Sequence, residues 1–495
     1  MMRYVYVDWI KASIKVITME QEKIPASSWR ILCILSCIGV IVLFDEVMIL
    51  PAIPDFIHTF GISYSTSSWL LSAYLIAAAV MTPIAGKMSD LYGKKKILLI
   101  VMIVYILGVL LGRFATNIEM MLVARALQGV GMGMFPVAFG IIREVFPEKK
   151  LALSQTIFSS TFPAGAVIGL VGGAAIIQSY GWQTTFVAVL PLAIGLWILI
   201  LKFVNLPTNA ASDQNTTNKG LDIKGTLVLA ATITLFLTGL TFLEGDSSKY
   251  YAFGLFGASA VSLASLIVIE KRVSAPLLDF KLMKSKSFLP PTIILMLVFL
   301  SIFTVYMTVP IMVRSPTPLG FGGDALAVAS VQLPFMIIFL ITTIISGFIL
   351  NKIKNTKLTL IGTIISTIGF LFLIMFHSTE MMVVIGLTII AAGLSLSTAG
   401  GFNIILVSVP MQMAGIALGM TLLLNLVGMS VGPVFAGMIQ EMNQGTVPGV
   451  AGQFPTQNAY NLIFVVSCAI SLASVVLALL VSRAKIPHGS TIPEY

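Results

Sequence analysis

Residues Gly39–Pro54 read GVIVLFDEVMILPAIP and set Asp45 beside Glu46 among Val, Ile, Leu and Met. An ionised carboxylate in apolar surroundings is costly unless it is paired or can take up a proton. The apolar run reaches back to Ile31. About 20 such residues cross a ~30 Å hydrocarbon layer as a helix. The stretch therefore reads as a membrane span that carries two acids.

The whole chain has this character. Of its 495 residues 57% are hydrophobic and 10% charged, against about 25% charged in a soluble domain. Mean hydropathy is +1.01. Strands of ~10 residues with alternating polarity, the mark of a membrane barrel, are not seen. The fold class expected is all-α and polytopic, with fourteen spans near 31–50, 67–85, 97–112, 119–143, 153–178, 184–204, 225–243, 252–270, 289–312, 325–350, 358–377, 381–406, 413–439 and 459–481.

Charge sorting supports that count. With the N-terminus inside, 25 of the 29 Lys and Arg fall on inside segments and three, Arg113, Lys249 and Arg314, fall outside. Arg125 alone lies within a span. A positive-inside bias of this size places both termini in the cytoplasm. It also accounts for the net charge of +9 through anionic lipid rather than nucleic acid. The sequon-like Asn215-Thr-Thr falls on an inside loop and is discounted. The first 30 residues are polar and of mixed charge, unlike a cleaved leader. Cys33, Cys37 and Cys468 lie in apolar runs and are expected as small packing residues.

Two stretches repeat. GKMSDLYGKKK (Gly86–Lys96) after span 2 is echoed by GFILNKIKNTK (Gly347–Lys357) after span 10. GAVIGLVGGA (Gly165–Ala174) in span 5 is echoed by GMSVGPVFAG (Gly428–Gly437) in span 13. Glycines four apart let helices approach closely. The repeat implies two six-helix bundles, 31–204 and 289–481, with an inserted pair at 225–270. Segment 1–30, a linker at 205–224, a loop at 271–288 and a tail at 482–495 complete the division, all on the cytoplasmic side.

Here the sequence resembles the major facilitator superfamily, and within it the fourteen-span drug:proton antiporters. WLLSAYLIAAAVMTPIAGKMSDLYGKKK is similar to the family's span 2 and following loop through Trp69, Tyr74, Pro83, Gly86, Asp90, Gly93 and Lys94–Lys96. RALQGVGMG resembles the span 4 signature through Arg125, Gln128, Gly129 and Gly131. LFDEVMILPAIP resembles the span 1 signature through Asp45, Ala52 and Pro54. GWQTTF and APLLDFKLM resemble joints after spans 5 and 8. Val47 and Leu50 stand where the family has Thr and Asn. Span 5 has Gly165, Gly169 and Gly173 but lacks the family's proline, which span 13 keeps as Gly432-Pro433.

The resemblance implies roles. Gly86, Asp90, Gly93, Lys94 and Lys95 would form a cytoplasmic gate that latches the inside-closed state. Gly165, Gly169 and Gly173 would be the antiporter-type glycine motif that bears on export direction. Asp45 matches the family's span 1 acid. Counted from its midpoint near residue 40, it lies about 7 Å outward, and Arg125 about 9 Å outward in span 4, so the two can meet. Glu46, about 100° round the helix, faces either the cavity or the outer mouth. The alternative is that both acids merely lie near a fraying helix end.

Gln128, Tyr306, Gln332, Asn403 and Asn425 are candidates for the substrate cavity, each also readable as a packing hydrogen-bond donor. No Gly-x4-Gly-Lys-Ser/Thr loop is present, and His58, His377 and His488 are too dispersed for a metal site. No cofactor, metal or enzyme chemistry is expected. The function expected is proton-coupled export of amphipathic or cationic small molecules by a monomer in the cell membrane. The partners are substrate, protons and lipid. The alternatives are a dedicated exporter of one endogenous metabolite or siderophore, and a transport-inactive membrane sensor.

Overall fold

A computed structural model describes residues 25–205, 223–242, 249–273, 280–285, 287–350, 353–409 and 413–483. Segment 1–24, most of the 205–224 linker and Asn351 of the second repeat lie outside these residues. So do most of the APLLDFKLM joint and the tail beyond 483.

Thirteen helices among the described residues are long and apolar enough to cross a membrane, and Leu227–Thr241 is a shorter apolar fourteenth. Span 1 runs Ala26–Phe60, as a helix to Val47, a tight turn at Leu50–Ala52 and a helix from Ile53. Spans 2 to 6 are Tyr64–Tyr92, Lys94–Arg113, Ile118–Val145, Leu153–Tyr180 and Gln183–Phe203. Spans 7 and 8 are Ile223–Thr241 and Lys249–Glu270. Spans 9 to 14 are Leu289–Arg314, Ala325–Ile349, Asn355–Met375, Glu380–Ser408, Ala414–Met442 and Gln457–Arg483.

Local chemistry explains the breaks. Ser63, Asn117, Asp324 and Thr379 cap spans 2, 4, 10 and 12 by accepting from the backbone N–H three residues on. Gly93 takes φ +95°, open to glycine at little cost, so span 3 starts directly after span 2. Prolines inside spans 2, 6, 9, 10 and 13 are tolerated because neighbouring groups can satisfy the freed carbonyls.

The packing repeats. Span 1 lies on span 5, span 2 on span 4, and span 3 on spans 4 and 6. Span 9 lies on span 13, span 10 on span 12, and span 11 on spans 12 and 14. The halves meet where span 2 touches span 13 and span 5 touches span 10. Spans 7 and 8 pair with each other, and span 7 rests on spans 2 and 13. Polar contacts that join the halves cluster toward the end of the bundle that holds Arg314. Arg314 forms a bidentate pair with Asp55 at 2.5 and 2.8 Å. The Tyr64 N–H donates to Glu441 at 2.9 Å, Ser72 donates to the Ser430 carbonyl at 2.7 Å, and the Ala325 N–H donates to Gln178 at 3.2 Å.

Two expectations need correction. Span 1 does not end near residue 50; it continues to Phe60, so its midpoint falls near residue 43 and Asp45 sits close to it rather than in a fraying turn. Cys33 and Cys37 are exposed on the helix surface and are not packing residues; Cys468 is buried as expected.

Candidate functional site: a buried acid and guanidinium

Glycines bring span 4 against its neighbours. A Cβ on Gly129 would collide with the Tyr74 carbonyl, and one on Gly108 of span 3 would lie 2.7 Å from the Gln128 nitrogen. With the backbones this close, the Arg125 side chain folds inward over span 2. Its guanidinium carbon lies 4.6 Å from the Tyr74 ring centre, a cation–π contact. Nε donates to the Leu70 carbonyl at 3.0 Å and Nη1 to Gln128 Oε1 at 2.9 Å. Both Arg125 and Asp45 are fully buried.

The acid is held less tightly than the cation. Asp45 Oδ2 lies 3.7 Å from Arg125 Nη1, within ion-pair range but beyond a hydrogen bond. Neither Asp45 carboxylate oxygen has a hydrogen-bond partner, and neither has Arg125 Nη2. A buried carboxylate without donors is stable only when it leans on a nearby charge or carries a proton. The arrangement can therefore exchange one state for the other with little movement. Glu46 is also buried, at 7% exposure.

Gly86, Asp90, Gly93, Lys94 and Lys95 lie at the opposite end from Arg314. Lys94 Nζ pairs with Glu144 at 2.5 Å and Asp90 at 3.4 Å. Lys95 donates to the Leu201 carbonyl at 2.9 Å, closing the last turn of span 6. The Asp90 side chain is 71% exposed. Gly86 is not a point of close approach here: an added Cβ would meet Pro136 at an ordinary 3.5 Å. Gly133 holds that role, against Ala85 at 2.8 Å, whereas Gly140 meets only the flexible end of the Lys94 side chain.

The glycine motif sits where span 5 meets span 1. Added Cβ atoms on Gly165, Gly169 and Gly173 would fall 2.7 Å from the Val40 carbonyl oxygen, 2.6 Å from that of Phe44 and 2.7 Å from Met48 Cα. Span 13 repeats this against span 9: Gly428 meets the Met296 carbonyl at 2.5 Å and Gly432 that of Leu300 at 2.8 Å.

The cavity candidates separate. Tyr306 and Gln332 line one small pocket with Phe335, Leu387 and Ile390. Gln128 is bound to Arg125. Asn425 is buried with both amide atoms unpartnered, three residues before Gly428, on the side of span 13 that faces span 9. Asn403 is half-buried, thirteen residues or about 20 Å along span 12 from Ile390. Glu144, Asp55 and Glu441 were not legible as site residues. Each follows a span end expected from the sequence (50, 143 and 439) and falls inside the longer observed helix, and only their contacts show that they join elements far apart in sequence.

The model of the Major Facilitator Superfamily matches residues 35–433 and 292–494. Multidrug transporter protein MdtP of Bacillus subtilis is 27% identical over 353 residues, 69% of this chain and 63% of that protein. Multidrug resistance protein 3 of the same organism is 27% identical, over 66% of this chain and 63% of its own length. The chain thus spans under two thirds of these two relatives. Multidrug efflux pump LfrA of Mycolicibacterium smegmatis is 24% identical, covering 81% and 78%. Among solved structures, a bacterial homolog of the human lysosomal transporter Spinster superposes with TM-score 0.68 at 16% identity, over 93% of this chain and 98% of that one. The xylose transporter XylE from E. coli gives 0.61 at 12% identity, over 94% and 100%. On the family model and the shared helical architecture together, the chain belongs to the Major Facilitator Superfamily.

Proposed function

We propose that this protein is a secondary active transporter of the cell membrane that exports amphipathic or cationic small molecules in exchange for protons. The observation that carries the reading is the fully buried Asp45 with no hydrogen-bond donor, 3.7 Å from Arg125. Such an acid holds a proton when the guanidinium turns to its other acceptors, the Leu70 carbonyl and Gln128. It releases the proton when the guanidinium returns. Glu46, the buried acid beside it, supplies the negative charge that a cationic substrate would meet. The names of MdtP, LfrA and multidrug resistance protein 3 agree with a broad substrate range.

Alternating access follows from the two halves. On the charge bias, the Arg314 end is the outer one. The contacts of Asp55–Arg314, Tyr64–Glu441 and Ser72–Ser430 then close the outer side, and the exposed Asp90 belongs to a gate that is unlatched. Rocking of 31–204 against 289–481 would exchange these contacts for latched ones around Asp90. Span 7, resting on both halves, would follow the motion.

Purified protein in detergent is to be titrated with tetraphenylphosphonium while proton release is followed with a pH dye. Release by wild type that is lost in Asp45→Asn supports the reading. Equal release by both overturns Asp45 as carrier. Uptake of the cation driven by an inward proton gradient in proteoliposomes overturns antiport.

A further inference from the structure

At the outer end an open cleft of about 380 Å³ lies between spans 1, 5, 6, 9 and 10. Small-molecule sites run from ~300 to ~1,000 Å³, so the space suits a compact ligand. Asp55 and Thr59 of span 1, Gln178 of span 5 and Trp182 beside span 6 form the wall from the first half. Arg314 of span 9 and Ala325 of span 10 form the wall from the second. Arg314 and Asp55 keep 22% and 29% of their side-chain surface exposed, so a ligand in the cleft can touch both.

The ion pair does not exhaust either partner. A guanidinium has five N–H donors. Two go to Asp55 and one to the Pro51 carbonyl at 3.0 Å, and the other two have no bond among the described residues. Each Asp55 oxygen accepts one N–H from Arg314 and keeps a lone pair for another donor. Gln178 adds a third group. The Ala325 N–H donates to its Oε1, which fixes the amide orientation and leaves Nε2 with donors to spare. Spare acceptors on Asp55 thus stand next to spare donors on Arg314 and Gln178. A simple anion is repelled there by Asp55, and a simple cation by Arg314. A small molecule that carries both charges satisfies both. The donors come from both walls, and a tetrahedral phosphate spreads its oxygens toward them where a carboxylate holds them in one plane.

We propose that the cleft binds a zwitterion with a primary ammonium two carbons from a phosphate, the ammonium on Asp55 and the phosphate on Arg314 and Gln178. Bound there, the ligand holds the outer side closed. The Asp55–Arg314 pair and the Gln178–Ala325 bond each join one half to the other, so parting the halves pulls the cleft in two. A ligand that needs both walls binds only the closed form and shifts the population toward it. The inference rests on the rocking motion in the transport reading above and adds control of that motion by a molecule at the outer face. Phosphatidylethanolamine and soluble ethanolamine phosphate share this chemistry.

Full-length protein in detergent is to be titrated by calorimetry with O-phosphoethanolamine, and with phosphate or ethanolamine alone. Spin labels at the outer ends of spans 2 and 13 report closure, in a Glu441→Gln background that loosens the Tyr64 contact and so populates the open form. The ester should bind about tenfold more tightly than either fragment. At ten times its Kd it should raise the closed-to-open ratio about elevenfold. Thr59 is exposed in the cleft wall and stands outside the ion pair, so Thr59→Phe fills the space and should abolish both effects. Closure in nanodiscs of phosphatidylethanolamine but not of phosphatidylglycerol supports the site with the lipid as its source; closure with the soluble ester alone supports it with a free one. No binding of the ester, equal binding of a fragment, or a response that survives Thr59→Phe overturns the site, and binding without closure overturns the control. Neither readout uses a dye or a proton, so failure here leaves export standing, and failure of proton release leaves this site standing.

Discussion

Replacing Gly169 by alanine adds one carbon where another backbone already lies. The new Cβ would sit 2.6 Å from the Phe44 carbonyl oxygen and 2.8 Å from Phe44 Cα. Carbon contacts are comfortable only near ~3.5 Å, so spans 1 and 5 must part by up to about 0.9 Å. Both obstructing atoms are main chain, and no rotamer change relieves them. Overpacking of this kind costs about 1–3 kcal/mol. Within a bilayer the loss is felt directly, because close van der Waals packing is what joins the helices. Two neighbouring glycines calibrate the effect. At Gly172 the nearest atom is Cε2 of the Phe44 ring at 3.3 Å, which can swing aside, and at Gly195 nothing lies within 4 Å. Thermal unfolding in detergent should show a fall of about 1–3 °C for Gly169→Ala, with Gly172→Ala between it and an unaffected Gly195→Ala. Equal melting of Gly169→Ala and Gly195→Ala would refute the claim that the motif exists to bring span 5 onto span 1.

Other outcomes follow from the same contacts. Arg125→Lys loses the fork that serves Leu70, Gln128 and Asp45 together, so dye efflux should fall at least tenfold even where membrane expression persists; efflux assays in a pump-deficient host read this. Asp55→Asn weakens a half-buried bidentate pair across the halves, worth about 1 kcal/mol, and should shift the population about fivefold toward opening at the Arg314 end, as spin-label distances between spans 2 and 13 would report. Glu144→Gln removes the 2.5 Å partner of Lys94 within one half and should lower the melting temperature while leaving dye affinity unchanged, a change in affinity counting against its placement outside the cavity.

The membrane architecture was legible because hydropathy and charge sorting act on segments of about twenty residues, where single misjudgements average out. The meeting of Asp45 with Arg125 was only half legible: the match in depth was counted from a midpoint near residue 40, and with the longer span 1 Asp45 lies about 3 Å outward against about 10 Å for Arg125, so the long Arg125 side chain, not equal height, closes the gap. The length of span 1 was not legible. The span was expected to end near residue 50, yet the chain takes one tight turn at Leu50–Ala52 and continues as helix to Phe60. Gly86 was legible as a motif but not as a contact. Which glycine a neighbour touches depends on how the helices are rotated, and spacing alone does not fix that. The pairing of Gln332 with the Tyr306 carbonyl, 3.1 Å away, needed the structure, since Pro310 announces a missing donor but not who supplies it.

The repeated packing also locates the asymmetry of the molecule. Gly165 and Gly169 meet Val40 and Phe44 as Gly428 and Gly432 meet Met296 and Leu300, so spans 1 and 9 stand in matching registers. One residue past Phe44 is Asp45; one residue past Leu300 is Ser301, whose hydroxyl donates to its own helix at the Val298 carbonyl, 2.8 Å away. The same scaffold thus holds a titratable acid in one half and a self-satisfied hydroxyl in the other. Two further turns along, Pro54 and Pro310 again correspond. Of the two, Pro310 frees the carbonyl that Gln332 serves. If proton exchange belongs to the first half alone, Ser301→Asp should not create a second coupling site, because span 12 brings no arginine opposite it. A Ser301→Asp protein that restored proton release to Asp45→Asn would show instead that the halves are chemically interchangeable.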